Sequence, residues 1–369
     1  MIGKGKWRHA ATAVALTAAA ALAAGCSAAS GGSGAGAISG SLPTNYGPAE
    51  QTTLNVGVVP AMDSAGFFVA LNEGLFTKEG LKINYSPATS SETAIQQQIK
   101  GQLQITAGNY VSYVQYAANP VNAKNPLEIV SEGSVMQEGA QTLFVMPSSH
   151  ITRLSELKGK LIGVNAPENI DYLLGVSVLK ENGINPSDVK FPTATDKDFA
   201  TTAGAIPFPE MGADLSSGEL SAAIMPEPFA SLAEQQFGAV PLADLNQGAT
   251  SDFPIEGYVV TKAWAEQNPN TLQRFLAALS AGQEIADTDR AAVETAFESL
   301  NGAQNGNVPS TIAAVMALDT YPIGINQTQL QRVADVMYQF NLLSSAYNVK
   351  NMIMPSQDFD FSPFSAAGT

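Results

Sequence analysis

The chain holds few groups able to do covalent chemistry. Cys26 is its only cysteine, and its two histidines are His9 and His150. A lone thiol can be a nucleophile, a core residue or a point of attachment. Nucleophilic use requires a base held beside the sulfur, and the surrounding stretch LTAAAALAAGCSAASGGSG supplies none. A single cysteine also rules out an intramolecular disulfide. Two histidines, one of them nine residues from the start, argue against a zinc site, a Ser-His-Asp triad or a histidine acid–base catalyst. Carboxylates are plentiful, but no paired-carboxylate signature stands out in the linear sequence.

The elements around Cys26 explain it better than reactivity does. Residues 1–9 carry Lys4, Lys6 and Arg8 and no acid, and Ala10 to Ala24 is an uninterrupted small and apolar run. This has the form of a secretory signal over residues 1–25, too short for a bilayer core that takes about 20 residues to cross. Its end resembles the lipobox of bacterial lipoproteins, Leu-(Ala/Ser)-(Gly/Ala)-Cys, with Ala23 at the usual leucine position and Leu22 one place earlier. The resemblance implies cleavage before Cys26 and a lipid on its sulfur. The alternative is an ordinary signal cut after an Ala-x-Ala-like site, which leaves Cys26 unused. Residues 26–51 are rich in Ser, Gly, Ala and Pro and bury too little apolar surface to order themselves, so they read as a flexible linker.

Beyond the linker, the length suits two domains and the hydrophobic content of 45% suits a globular protein. Removing residues 1–25 takes three positive charges and no negative ones, moving the net charge from −15 to −18. Such a surface repels polyanions, so nucleic acid and anionic lipid are excluded as partners. The pattern of elements is α/β. Leu54–Val59 is a short apolar strand; Phe67, Leu71 and Leu75 follow at helical spacing; Leu81, Ile83 and Tyr85 alternate with polar residues as a second strand. That is a βαβ unit with a parallel strand pair. Ser90-Ser91-Glu92 then caps a helix containing Ile95 and Ile99, and residues 103–106 form the next strand. A second α/β run follows residue 145: a strand at 161–164, a helix over 171–182, a strand over 221–225 and a helix opened by Pro228. GYVVT at 257–261 is a further strand, residues 262 to about 343 read mainly as helices, and 355–369 as a loose tail.

Five segments carry a family resemblance. They are FFVALNEGLFTKEGLKINY, ETAIQQQIKGQLQITAG, RLSELKGKLIGV, SSGELSAAIMPEPF and KAWAEQNPNTLQRFLAAL, in that order along residues 52–290. They resemble motifs of the solute-binding proteins of ABC importers, in the group that handles sulfonates, nitrate and thiamine-pyrimidine precursors. The acid usual in each GxxD step is Gln104 in one motif and Ser221 in the other, and Gly108-Asn109-Tyr110 replace the strand-end residues expected in the first. The stretch 201–217 also fits poorly.

The resemblance implies two Rossmann-like α/β domains flanking a cleft, the type II periplasmic-binding-protein fold, with a helix-rich C-terminal part. Domain I takes residues 52–144 and 256–354, and domain II residues 145–255. Ligands of such folds sit where strands end, between the domains. The implied contacts are Asp63, Ser90, Ser91, Asn109, Tyr110, Asn165, Tyr172 and Glu227. Each has a plainer alternative: Ser90 and Ser91 as helix caps, Tyr110 as core, Asp63 as a solvated loop residue. No Lys or Arg stands among them, which tilts the ligand away from nitrate and sulfonates toward a heteroaromatic or amine-bearing solute stacked on Tyr110 or Tyr172 and anchored by Glu227. The implied protein is a lipid-anchored, monomeric, extracytoplasmic binding protein without cofactor or metal, partnered by a permease and an ATPase. Alternatives are a binding-only sensory lipoprotein and, remotely, a pyrimidine-synthase-like enzyme.

Overall fold

The computed structural model describes residues 47–193, 204–300 and 308–355, all within one compact unit, Leu42–Thr369. The expectations for the signal, for Cys26 and for residues 356–369 lie outside the described residues.

The expected βαβ unit opens the fold. Strand β1 (Thr53–Val58) leads through helices α1 (Ala65–Asn72) and α2 (Leu75–Lys78) to β2 (Lys82–Pro87), and the two strands pair in parallel from Thr53–Lys82 to Val58–Pro87. Gly74, at φ 67°, makes the left-handed turn between the helices that a residue with a Cβ would resist. Helix α3 (Ser91–Ile99) is capped by Ser90, whose Oγ accepts from the Thr93 N–H at 3.3 Å. Strand β3 (Ile105–Asn109) then adds to β1 in parallel and runs directly into α4 (Tyr110–Ala118).

Two further strands complete the first sheet, and the sequence reading had only one of them. Strand β4 (Leu127–Val135) is buried along its whole length, and a strand covered on both faces shows no alternation to detect. The chain then leaves for the second sheet, which holds β5 (Gln141–Val145), β6 (Ile162–Gly163), β7 (Ala222–Pro226) and β8 (Val240–Asp244) in the order β6-β7-β5-β8. Its helices are α5 (Ile170–Glu181), α6 (Phe208–Ser217) and α7 (Phe229–Phe237). The poorly fitting stretch 201–217 therefore includes an ordinary helix from Phe208 onward, packed on α7. Strand β9 (Pro254–Thr261) returns to the first sheet, antiparallel to both neighbours, giving the order β2-β1-β3-β9-β4. The chain thus changes sheet twice, between Val135 and Gln141 and between Asp244 and Pro254.

Helices α8 (Lys262–Gln267), α9 (Pro269–Thr288), α10 (Arg290–Glu298), α11 (Ser310–Ala313) and α12 (Gln327–Gln339) follow. Helix α9 lies against α1 with backbones touching: a Cβ on Gly282 would stand 2.3 Å from the Gly66 carbonyl oxygen. Phe76 stacks on Phe275 at 5.1 Å, and Phe68 meets Phe297 edge-on at 5.5 Å. Two hydrophobic clusters result, and each draws residues from both sheets.

Residues 47–51, assigned by composition to the linker, are held at the start of α9. Glu50 accepts from the N–H groups of Asn270 and Thr271 at 3.2 and 2.9 Å, the role of a helix cap supplied from another part of the chain. Partial burial pushes the Glu50 carboxyl up, but the bonds from Thr271 and Asn270 outweigh it and hold the pKa at about 2. Replacing Glu50 with Ala is expected to lower the unfolding free energy at pH 7 by about 1 kcal/mol, the usual value of a cap. A urea titration checks it. As the pKa is depressed, the loss should vanish as pH falls from about 4 to 2.

Candidate functional site

The loops that leave β1, β3, β6 and β7 meet along one seam between the sheets. The hydrogen bonds that cross it include these. The Met62 N–H donates to the Glu227 carbonyl at 2.8 Å, and Gln141 Nε2 to Asp63 Oδ1 at 3.3 Å. Asn165 Nδ2 donates to the Thr89 carbonyl at 2.9 Å, and Gln115 Nε2 to the Glu168 carbonyl at 2.8 Å.

Six of the eight expected contacts sit in or beside this seam with their polar atoms engaged. Ser90 and Ser91 do act as caps and connectors: Ser91 Oγ accepts from both the backbone N–H and the side-chain Nδ2 of Asn109, each at 2.9 Å. Asn109 in turn caps α4 through the Ser112 N–H. Removing the Ser91 hydroxyl orphans two buried donors, so Ser91→Ala should cost about 2 kcal/mol in denaturant unfolding. Asn165 lies at the end of β6 and ties the two halves together. The Glu227 carboxylate accepts from the Ser231 N–H at 3.0 Å, the Ser231 hydroxyl at 2.8 Å and the Ala317 N–H at 3.4 Å. Its oxygens are thereby taken up by helix α7 and the Ala317 loop. Asp63 follows β1 in a short 3₁₀ turn, Met62–Ser64.

The other two differ. Tyr110 is 1% exposed and belongs to the core, yet its phenol oxygen has no hydrogen-bond partner. Tyr172 is not brought to the others. Its ring packs edge-on to Phe191 at 4.7 Å and lines a separate cavity of about 290 Å³ with Glu168, Lys180 and Phe340.

The helix turns its neighbour inward instead. Asp171 is fully buried; one oxygen accepts from the Asn165 N–H at 2.9 Å and the other has no partner. Around Asp63 stand two more carboxylates that sequence reasoning passed over, Glu256 and Asp319, 2% and 5% exposed. Ser64 Oγ donates to Glu256 Oε1 at 2.6 Å. Asp319 lies beside the Asp63 carboxyl and the Gln137 main chain, and neither of its buried oxygens has a partner of regular geometry. Gln141 gives its Nε2 to Asp63 and leaves its Oε1 unpartnered. On the other side, the Ser112 hydroxyl donates to Glu92 Oε1, and Glu92 Oε2 is unpartnered.

These carboxyls are raised by burial above all, and then by one another. Burial pushes Glu256 well up, with the Asp63 charge adding and the Ser64 bond opposing. Asp319 is raised well above the carboxylate range, by burial and then by Asp63. Asp63 itself is raised by burial, against hydrogen bonding from Asp319 and Gln141. Asp171 is pushed up to about 7 by burial, with the Asp63 and Glu92 charges adding to it. Glu132, on β4, is likewise lifted to about 7 by burial, although the Asn326 N–H opposes.

The missed residues share a cause. Expectation was confined to loops after strands. An antiparallel strand, however, brings its beginning alongside the end of its neighbour. Glu256, early in β9, pairs with Asn109 at the end of β3, and Gln141, first in β5, pairs with Pro226 at the end of β7. The available signal was an acid inside an apolar strand, as in PIEGYVV. The departures at Gln104 and Ser221 have no such bearing. Gln104 stands ahead of β3, at the end remote from Asn109, where its Oε1 accepts from the Asn55 N–H at 2.8 Å. Ser221 likewise precedes β7.

Two α/β halves, joined by two crossings and meeting along strand ends, define the type II periplasmic-binding-protein fold. Solved structures share it. The alkanesulfonate-binding protein SsuA from Xanthomonas axonopodis pv. citri, bound to MOPS, superposes with a TM-score of 0.65 at 17% identity, covering 83% of this chain and 99% of that one. The periplasmic nitrate-binding protein NrtA from Synechocystis PCC 6803 gives 0.64 at 13% identity, covering 85% and 92%. Residues 47–300 match the model of the NMT1-like family, and the chain belongs to that family. Among curated relatives, the nitrate/nitrite binding protein NrtA of Nostoc sp. (strain PCC 7120) is 25% identical over 262 residues, 66% of this chain and 56% of the relative. This chain therefore matches little more than half the length of that relative.

Proposed function

We propose that the protein captures a small solute in the seam between its two sheets and delivers it to the permease of an ABC importer. It does so outside the cell membrane, held there as a monomer by a lipid on Cys26. The two sheet-centred halves act as domains, residues 52–144 with 256–354 and residues 145–255, and closing them on the ligand is the hinge-type shift that a permease reads. No bond is made or broken in this role.

The ligand is a heteroaromatic or amine-bearing solute. The observation that carries this reading is the acidic lining: Asp63, Asp171, Glu256 and Asp319 converge with unpartnered acceptor atoms among them. Such a lining repels nitrate and sulfonates, which call for Arg, Lys or a set of donors. At the edge of the seam Phe208 and Phe229 stack on each other at 5.4 Å and, with Pro60 and Thr89, line a cavity of about 30 Å³, the room of one water. His150, the one histidine beyond the proposed signal, is exposed in the turn after β5, which leaves the synthase alternative without its base.

Isothermal titration with aminopyrimidines, alkylamines, nitrate and methanesulfonate tests the ligand class. Binding of an aminopyrimidine or amine in the micromolar range is expected. Submillimolar binding of nitrate or the sulfonate alone overturns it. Labelled palmitate entering the wild-type protein but not Cys26→Ala tests the anchor.

A further inference from the structure

The acids around Asp63 are unusual in what they lack. The charges acting on Asp63, Glu256 and Asp319 come from one another, and no Lys or Arg contributes to them. The ion pairs Arg153–Glu156, Lys158–Asp188, Lys262–Glu128 and Arg290–Glu294 all lie elsewhere. Buried carboxylates are normally paired, bound to metal or kept neutral by protons. Among the described residues no group of three or more His, Cys, Asp or Glu side chains is spaced to hold a metal ion.

Two independent neighbours point to a ligand with donor groups. Gln141 and Tyr110 are each 1% exposed, and each leaves a polar atom unpartnered at this place. The Gln141 amide is fixed beside Asp63 by its own Nε2, so its free Oε1 stands within the cluster. The Tyr110 phenol lies beside Glu132 and Glu256 and is fixed over the β9 backbone, where a Cβ on Gly257 would stand 2.5 Å from its oxygen. The Asp319 oxygens add to these, since their neighbours are the like carboxyl of Asp63 and the Gln137 main chain and neither oxygen has a partner of regular geometry.

Resting on the solute-binding reading above, we propose that Asp63, Glu256 and Asp319 bind a small organic cation carrying several N–H donors, an ammonium, amidinium or guanidinium, which enters in exchange for protons. The cation keeps its charge, the carboxyls lose protons to solvent, and no covalent bond changes. Each N–H then meets an acceptor that lacks a regular partner, Gln141 Oε1 or an Asp319 oxygen, with the Asp63 carboxylate beside them. Asp171 and Glu92 approach from α5 and α3, Glu132 from β4, Tyr110 and Tyr113 from α4, Tyr258 from β9 and Tyr321 from the loop after α11, with Asp287 of α9 beside Tyr321. None carries a positive charge, so nothing in the chain substitutes for the ligand's own.

Titrating the full chain with agmatine, putrescine and benzamidine, alongside neutral cytosine, in buffers of different ionisation enthalpy tests this. At least one cation is expected to bind with release of about one proton at pH 6, its affinity rising about tenfold per pH unit between pH 5 and 7. Asp319→Asn should weaken it at least tenfold. That variant replaces a neutral carboxyl in the free protein with a neutral amide of the same shape, so its melting temperature at pH 6 should be unchanged or higher, which separates lost recognition from lost folding. Binding of cytosine alone, or of a cation without proton release, overturns the inference and leaves the solute-binding reading standing. Binding of nitrate or methanesulfonate alone removes both.

Discussion

Raising the pH from 5 to 8 should destabilise this protein by several kcal/mol, opposite to the behaviour of a protein held by ion pairs. Asp171 and Glu132 have folded-state pKa values of about 7 against ordinary values of 3.8 and 4.5. A carboxyl raised by folding binds its proton more tightly in the native state, so its ionisation opposes the fold. Its stabilising contribution is complete below the unfolded value and is lost as pH rises through the folded one. Each group should therefore remove roughly 2–3 kcal/mol between pH 5 and 8, with Asp63, Glu256 and Asp319 acting in the same direction. Urea unfolding at pH 5, 6, 7 and 8 measures it. Asp171→Asn keeps the acceptor for the Asn165 N–H while removing the charge, and should flatten a substantial part of the slope. A stability that rises toward pH 8 would contradict the buried acid cluster.

The second large effect is at Gly257. A Cβ there would lie 2.4–2.6 Å from three atoms of the Tyr110 phenol ring, one of them the oxygen. The ring cannot retreat, since Tyr110 is 1% exposed and belongs to the packed cluster that includes Ile95, Ile129 and Val259. Gly257→Ala is expected to cost about 3 kcal/mol, the upper range for forcing a methyl into a packed core. Tyr110→Ala alone should cost a similar amount or more by opening a cavity. In the double variant the new methyl occupies part of the space the ring leaves, so the two costs should fall well short of adding. Full additivity would mean that the ring and Gly257 do not touch.

Much of the fold was readable because its first half is locally consistent. In the stretch Thr53–Ile99, strand alternation, helical spacing, a Gly turn and a Ser cap all point to the same elements, and the structure places them within a residue or two. What escaped were β4, β5 and β8. Strand β4 is buried on both sides, contains acids and bends at irregular pairings near Ile129 and Glu132, so it shows neither a clean apolar run nor a period of two. The site was half legible for a related reason. Loop residues such as Asp63 and Asn165 announce themselves by following a strand. Glu256, Gln141 and Asp319 reach the seam only through antiparallel pairing and a long return of the chain, neither of which leaves a mark in local spacing. The one-position difference between Tyr172 and Asp171 has a simpler origin: adjacent residues on a helix face directions about 100° apart, and sequence alone does not fix the phase.

The bonds that join the two halves end largely on main-chain atoms: the carbonyls of Glu227, Thr89 and Glu168, the first of them met by a main-chain N–H from Met62. Main-chain acceptors survive any substitution that keeps the local path of the chain. In the proposed role, the contacts that join the halves are in this way separated from the side chains that would meet a solute. Substitutions in the proposed lining would then leave the join between the halves intact.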